Sequence, residues 1–153
     1  MNNDKTIEVL NTLVQINNDR IDGYETALKE TQEQDLRILF EAQIRTSQNC
    51  LKGLSNEVTH LGGVPTDATK LSGKFFRVWM DVKAALTGKD RKAILNSCEY
   101  GEGWATDTYE SALEDNSDYL TANQQEIVKA QHALLMVDHN KVKAMLDTLE
   151  KAA

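Results

Sequence analysis

Apolar residues recur every third or fourth position along four long stretches of this chain, and the breaks between those stretches are unequal in length. The spacing is that of helices burying one face, and the breaks restrict how the helices can be arranged. The first stretch runs from about Lys5 to Glu30, with Ile7, Leu10, Val14, Ile21, Tyr24 and Leu28 on one stripe. Asn17 interrupts that stripe, Leu13 and Ile16 widen it, and Gly23 offers a place for another backbone to come close. After the short link Thr31-Gln32-Glu33-Gln34, a second helix carries Leu36, Phe40, Ile44, Leu51, Leu54, Val58 and Leu61. It stops at Gly62-Gly63, a helix-ending signal with Pro65, the one proline of the chain, just beyond.

The segment from 62 to 90 is longer and of different make-up. A Gly/Thr/Ser-containing connection leads to a shorter helix over about Lys74 to Leu86, closed by Thr87-Gly88. Lys89-Asp90 opens a third long helix, about Asp90 to Glu114, and Asp115-Asn116-Ser117-Asp118 forms a turn. The last helix, about Leu120 to Lys151, carries Ile127, Leu134, Val137 or Asp138, Val142, Met145 and Leu149. Short links make sequential helices antiparallel neighbours, whereas the 62–90 segment can travel the full length of a bundle. The expected fold is therefore all-α: a ferritin-like four-helix bundle of two antiparallel hairpins joined by a long crossover with a short fifth helix. A bundle linked only by short loops is excluded.

A chain of 153 residues fits a single domain spanning 1–153, long enough to bury a core. With a net charge of −7 and no Lys/Arg cluster, it lacks the footprint of a nucleic-acid surface. No apolar run approaches the roughly 18 residues of a membrane span. The N-terminal MNNDKTIEVLNTL lacks the apolar stretch of a signal peptide, so a cytoplasmic location is expected. Cys50 and Cys98, isolated within helical patterns, read as reduced and buried. No nucleophile–base pair, phosphate loop or zinc spacing is present, which weighs against an enzyme.

The chemistry gathers on the third long helix. Leu95, Glu99, Glu102, Thr106, Tyr109 and Leu113 fall on one stripe, so two carboxylates face an otherwise apolar side. Such acids need a compensator: a bound cation, a buried Arg or Lys, a shared proton, or solvent. Counting residues from each turn places Glu25 within a turn of the height of Glu41, Glu102 level with His132, and Glu99 within a turn of both His132 and His139. Glu25, Glu41, Glu99, Glu102, His132 and His139 are thus candidate metal ligands, with Tyr24 and Tyr109 placed to orient the carboxylates. Measured against a two-metal carboxylate bundle the set is incomplete. Ile44 stands three residues after Glu41 where a His is required, and Lys129 and Met136 stand where a Glu should precede each His. His60, beside the Gly62-Gly63 stop, reads as a surface residue near a helix C-terminus. The Phe75-Phe76-Arg77-Val78-Trp79-Met80 patch reads as the apolar face of the crossover helix closing over the bundle, with a dimer surface as the next reading.

A string of short motifs carries a family resemblance. These are Gly23-Tyr24-Glu25, Leu61-Gly62-Gly63-x-Pro65, Arg77-x-Trp79 with Lys83, Leu86-Thr87-Gly88 and Ala93-Ile94-Leu95. Cys98-Glu99-x-Gly101-Glu102, Tyr109, and His139 ahead of Val142 follow in order. The chain resembles, over roughly residues 8 to 148, an uncharacterised bacterial group of ferritin-like bundle proteins with a domain of unknown function. Phe76 departs from that pattern, where the group often has a His before the Arg-x-Trp. The resemblance implies the ferritin-like fold and, by analogy, a metal centre; it implies no established activity.

Two readings of function follow. The default is a non-catalytic structural or interaction module, a homodimer or small homo-oligomer, whose acids are answered by Arg45 or another buried base. The alternative is a protein holding iron or manganese in an incomplete carboxylate/His site, in oxidative-stress or metal handling.

Overall fold

The computed structural model describes residues 3–66, 73–88 and 90–152, the side chains of residues 73–79 and 82 excepted. It is all-helical, with no strand among the described residues. Five helices follow in order: α1 (Asn3–Glu30), α2 (Gln34–His60), α3 (Gly73–Gly88), α4 (Arg91–Glu114) and α5 (Ala122–Ala152). A 3-10 turn, Ser117–Tyr119, lies between the last two.

Local chemistry sets these boundaries. The carbonyls at the end of α1 are covered by Arg37, whose Nη1 donates to Leu28 O at 2.8 Å and Thr31 O at 3.2 Å. α2 ends as the double glycine predicts: Gly62 adopts φ +86°, Gly63 N donates to Val58 O, and Gly62 N donates to Thr59 O. That bond pair is a Schellman ending, which needs a left-handed residue at Gly62. Asp90 caps α4 by accepting from Ala93 N. Thr121 and Gln124 form a reciprocal capping box ahead of α5, each side chain bonded to the other's backbone N–H.

Contacts at known positions give the helix directions. Gln43 reaches Asp138 O and Gln131 reaches Cys50 O, so α2 and α5 are antiparallel. Asn17 meets Tyr109 and Arg20 meets Glu102, so α1 and α4 are antiparallel as well. The crossover begins beside α1, where Asn11 bonds Val64 O and Thr66 N. It ends near the first turn, where Arg91 is paired with Glu33 and Asp35. α3 packs against α4 and α1. The Phe75–Trp79 side chains of the expected apolar patch lie outside the described residues, and Met80 is 52% exposed.

The core is divided. One apolar cluster gathers Tyr24, Phe40, Ile94, Leu95, Val142 and Leu146. The other gathers Leu10, Leu13, Leu54, Val58, Val128 and Leu135. On every long helix a buried polar stretch falls between them: Asn17 and Arg20, Gln43 and Ser47, Glu102 and Thr106, Asp138 and His139. Burial of a large apolar side chain stabilises by about 1.5–3 kcal/mol, so the two clusters offset the cost of a polar layer between them.

Candidate functional site

The polar layer is built from all four long helices at one depth. Arg20 on α1 is fully buried and points its guanidinium across the bundle. Its Nη2 lies 2.8 Å from Glu102 Oε1 on α4 and 3.3 Å from Asp138 Oδ2 on α5. Its Nη1 donates to Ser47 Oγ on α2 at 2.5 Å, and the cation lies 5.7 Å from the centre of the Tyr24 ring. Glu102 Oε1 also accepts from the Tyr24 hydroxyl and from Gln43 Nε2 at 3.1 Å. Glu102 Oε2, Arg20 Nε and Gln43 Oε1 are buried without a hydrogen-bond partner among the described residues.

The electrostatics follow from this packing. Burial alone lowers the pKa of Arg20, but the charge of Glu102, its hydrogen bond and the charge of Asp138 outweigh it and hold the guanidinium charged, its pKa raised above the usual value. Burial, then the Glu102 charge, pushes the Tyr24 hydroxyl well above its usual range, so it stays a neutral donor. Cys98 is raised by the same two causes, and Cys50 is pushed up to about 11 by burial. Both cysteines are free and buried. A second group of bonds lies one to two turns further along the bundle, where Asn17 donates to the Tyr109 hydroxyl, Tyr109 donates to Gln131 Oε1, and Gln131 donates to Cys50 O.

Of the six candidate ligands, Glu102 enters the layer and His139 lies buried at its edge. His139 Nε2 is 3.2 Å from Oε1 of Glu99, a side chain 38% exposed. His132 pairs instead with Glu110, nearer the surface. The expected level of Glu102 with His132 is corrected to Glu102 with Asp138, because the α4–α5 turn extends through Leu120 and Thr121. Glu25 and Glu41 are exposed and do not join the acids of α4. The reason is angular: the inward positions at this depth are Arg20 and Tyr24 on α1, and Gln43 and Ser47 on α2. Arg45, the base named as a compensator, is exposed too; Arg20 takes that role. Tyr24 does bond a carboxylate, whereas Tyr109 bonds Gln131.

A two-metal carboxylate centre requires acids and imidazoles from all four helices to converge. Here α1 contributes a cation and α2 an amide at the point of convergence. Among the described residues, no three His, Cys, Asp or Glu side chains stand together where they could hold a metal ion. The donor set does not fit such a centre, and the guanidinium occupies the electrostatic role a metal would have.

The apolar pattern alone singles out neither Arg20 as the compensator nor Asp138 over Val137 as the inward residue of α5. The signal was available in the spacing: Asn17, Arg20 and Tyr24 continue the α1 stripe at intervals of three and four. Away from the layer, a surface groove of about 430 Å³ between α1 and α4 is lined by Glu8, Thr12, Trp104, Asp107, Thr108 and Ser111 among others. It brings hydroxyls and carboxylates together without a histidine, cysteine or lysine in its lining.

No helix among the described residues is long and apolar enough to cross a membrane. The family model described as a domain of unknown function (DUF2383) matches residues 5–115, from the first turn of α1 to the end of α4. The chain belongs to that family. No curated protein matches it in sequence.

Proposed function

We propose that this DUF2383-family chain is a non-catalytic, ferritin-like bundle, one domain throughout, that serves as a structural or interaction module. A buried arginine takes the place of a metal centre in it. The observation that carries this reading is the position of Arg20, with one nitrogen 2.8 Å from Glu102 and 3.3 Å from Asp138 in the middle of the core. Arg20 supplies a positive charge within bonding distance of both acids, which lessens the need for a bound ion between them. The ferritin-like assignment is supported by the order of helices, two antiparallel hairpins with a crossover helix between them. Two buried thiols left unjoined suit a reducing, cytoplasmic setting.

The test is metal analysis of protein purified without a His-tag, paired with melting curves in chelator and in added iron, manganese or zinc. An ion that binds the folded state raises Tm as its free concentration passes its Kd. The expected outcome is no stoichiometric metal and an unchanged Tm in every condition. Bound iron or manganese, with a rise in Tm that Glu102→Gln abolishes, contradicts the proposal.

A further inference from the structure

Exposed apolar side chains on α5 form a pattern that the core does not explain. Gln124, Val128, Gln131, Leu135, Asp138, His139, Val142 and Leu146 supply the buried face of this helix. Leu134 and Val137 point elsewhere, 49% and 55% exposed. With Ala130 and Ala133, also exposed, they make an outward stripe two turns long. The stripe ends in a charge on each side, Glu126 before it and Lys141 after it, both exposed.

That arrangement is complementary to itself. Turn a second α5 antiparallel about a two-fold axis passing between Ala133 and Leu134. Ala130 then meets Val137 of the second copy, Ala133 meets Leu134, and Glu126 meets Lys141. Each contact occurs twice, as an isologous interface requires. The two alanines let the helix axes approach closely, while Leu134 and Val137 supply the apolar centre. In the single chain Glu126 pairs with the exposed Lys129 at 3.7 Å, and the exposed Lys141 lies 3.9 Å from the buried Asp138, each on its own helix. The exposed pair is weak and can be exchanged for a contact across the interface, and Asp138 keeps its pairing with Arg20 when Lys141 turns outward. A parallel pairing would place Glu126 against Glu126 and Lys141 against Lys141, so the charges select the antiparallel one.

We propose that the outward face of α5, centred on Leu134 and Val137 and bounded by Glu126 and Lys141, binds a second copy of this chain in antiparallel two-fold register. The inference rests on the interaction-module reading and is independent of the Arg20 layer, so metal content and oligomeric state test the two separately.

The experiment is sedimentation equilibrium of the full chain over a range of concentrations, with circular dichroism confirming helicity of each variant. Wild type is expected to show a concentration-dependent dimer, and Leu134→Arg to raise the dimer Kd by about tenfold or more. Glu126→Lys and Lys141→Glu are each expected to weaken self-association, because each brings like charges together across the interface. Mixing the two single variants is expected to restore association as a heterodimer, and joining both changes in one chain to restore the homodimer. A wild-type chain that stays monomeric throughout overturns the proposal. So does a dimer that Leu134→Arg leaves intact, which places the interface elsewhere, or a mixture of the two charge variants that associates no better than either alone.

Discussion

Three donors meet on one oxygen of Glu102: the Arg20 guanidinium, the Tyr24 hydroxyl and the Gln43 amide. Its other oxygen has no hydrogen-bond partner among the described residues, so the stability of this buried carboxylate depends heavily on those donors. Arg20→Met leaves Glu102 and Asp138 buried without their shared cation. It is expected to lower unfolding stability by about 3–5 kcal/mol in urea titrations, and a loss below about 1 kcal/mol contradicts the role given to Arg20. Arg20 was hard to see in the sequence for a physical reason: an arginine within a helix ordinarily keeps its head group in water. Its burial is permitted only by Glu102 and Asp138, which are far away in the chain and meet it only once the bundle has formed. Glu102 was legible because a carboxylate three residues after Glu99, amid Leu95, Thr106 and Tyr109, contradicts its surroundings without help from any other helix.

At the scale of elements, the breaks in the apolar pattern carried more information than the stripes. Gly62-Gly63-x-Pro65 marked the end of α2, and the observed left-handed Gly62 shows why two glycines stand there. A methyl group at Gly62 meets nothing within 4 Å, so the cost of Gly62→Ala is one of backbone strain alone. It is expected to destabilise by about 1 kcal/mol, while Gly88→Ala, at an open position without positive φ, stays near neutral. Equal effects of the two substitutions in thermal melts contradict the Schellman ending. On α5 two apolar stripes compete, and the one through Val128, Leu135, Val142 and Leu146 is the buried one. Ile127, Leu134 and Val137 look like core residues from their side chains, yet Val128, Gln131, Leu135 and Asp138 are the buried set. Two polar residues are drawn inward because Tyr109, Cys50 O and Arg20 are there to bond them. Apolarity alone cannot foresee that preference.

For the molecule as a whole, a polar layer between two apolar clusters fixes how the four long helices align, since any slip separates Arg20 from its partners. Layer counting predicted that side chains from all four helices meet at one depth. It named exposed residues on α1 and α2, and on α5 it named the buried His139 but not Asp138, because height along a helix is countable from the turns whereas the inward angle depends on packing. The same burial gives the fold an alkaline limit. Tyr24, Tyr109, Cys50 and Cys98 all have raised pKa values in the folded chain, burial being the leading cause, so folding favours their protonated forms. Their contribution is complete below the ordinary cysteine and tyrosine values of 9.0 and 10.0 and is lost as pH rises through the folded values. Tm is expected to fall as pH climbs past that range, and a Tm that holds level beyond it contradicts the burial of these groups. The central claim, that a guanidinium is the cation answering the inward acids, is tested most directly by a double-mutant cycle between Arg20→Met and Glu102→Gln, read as unfolding free energies. The account predicts a coupling of about 2 kcal/mol or more, the double variant being much more stable than the sum of the single losses implies. Additive losses, within about 0.5 kcal/mol, would contradict it.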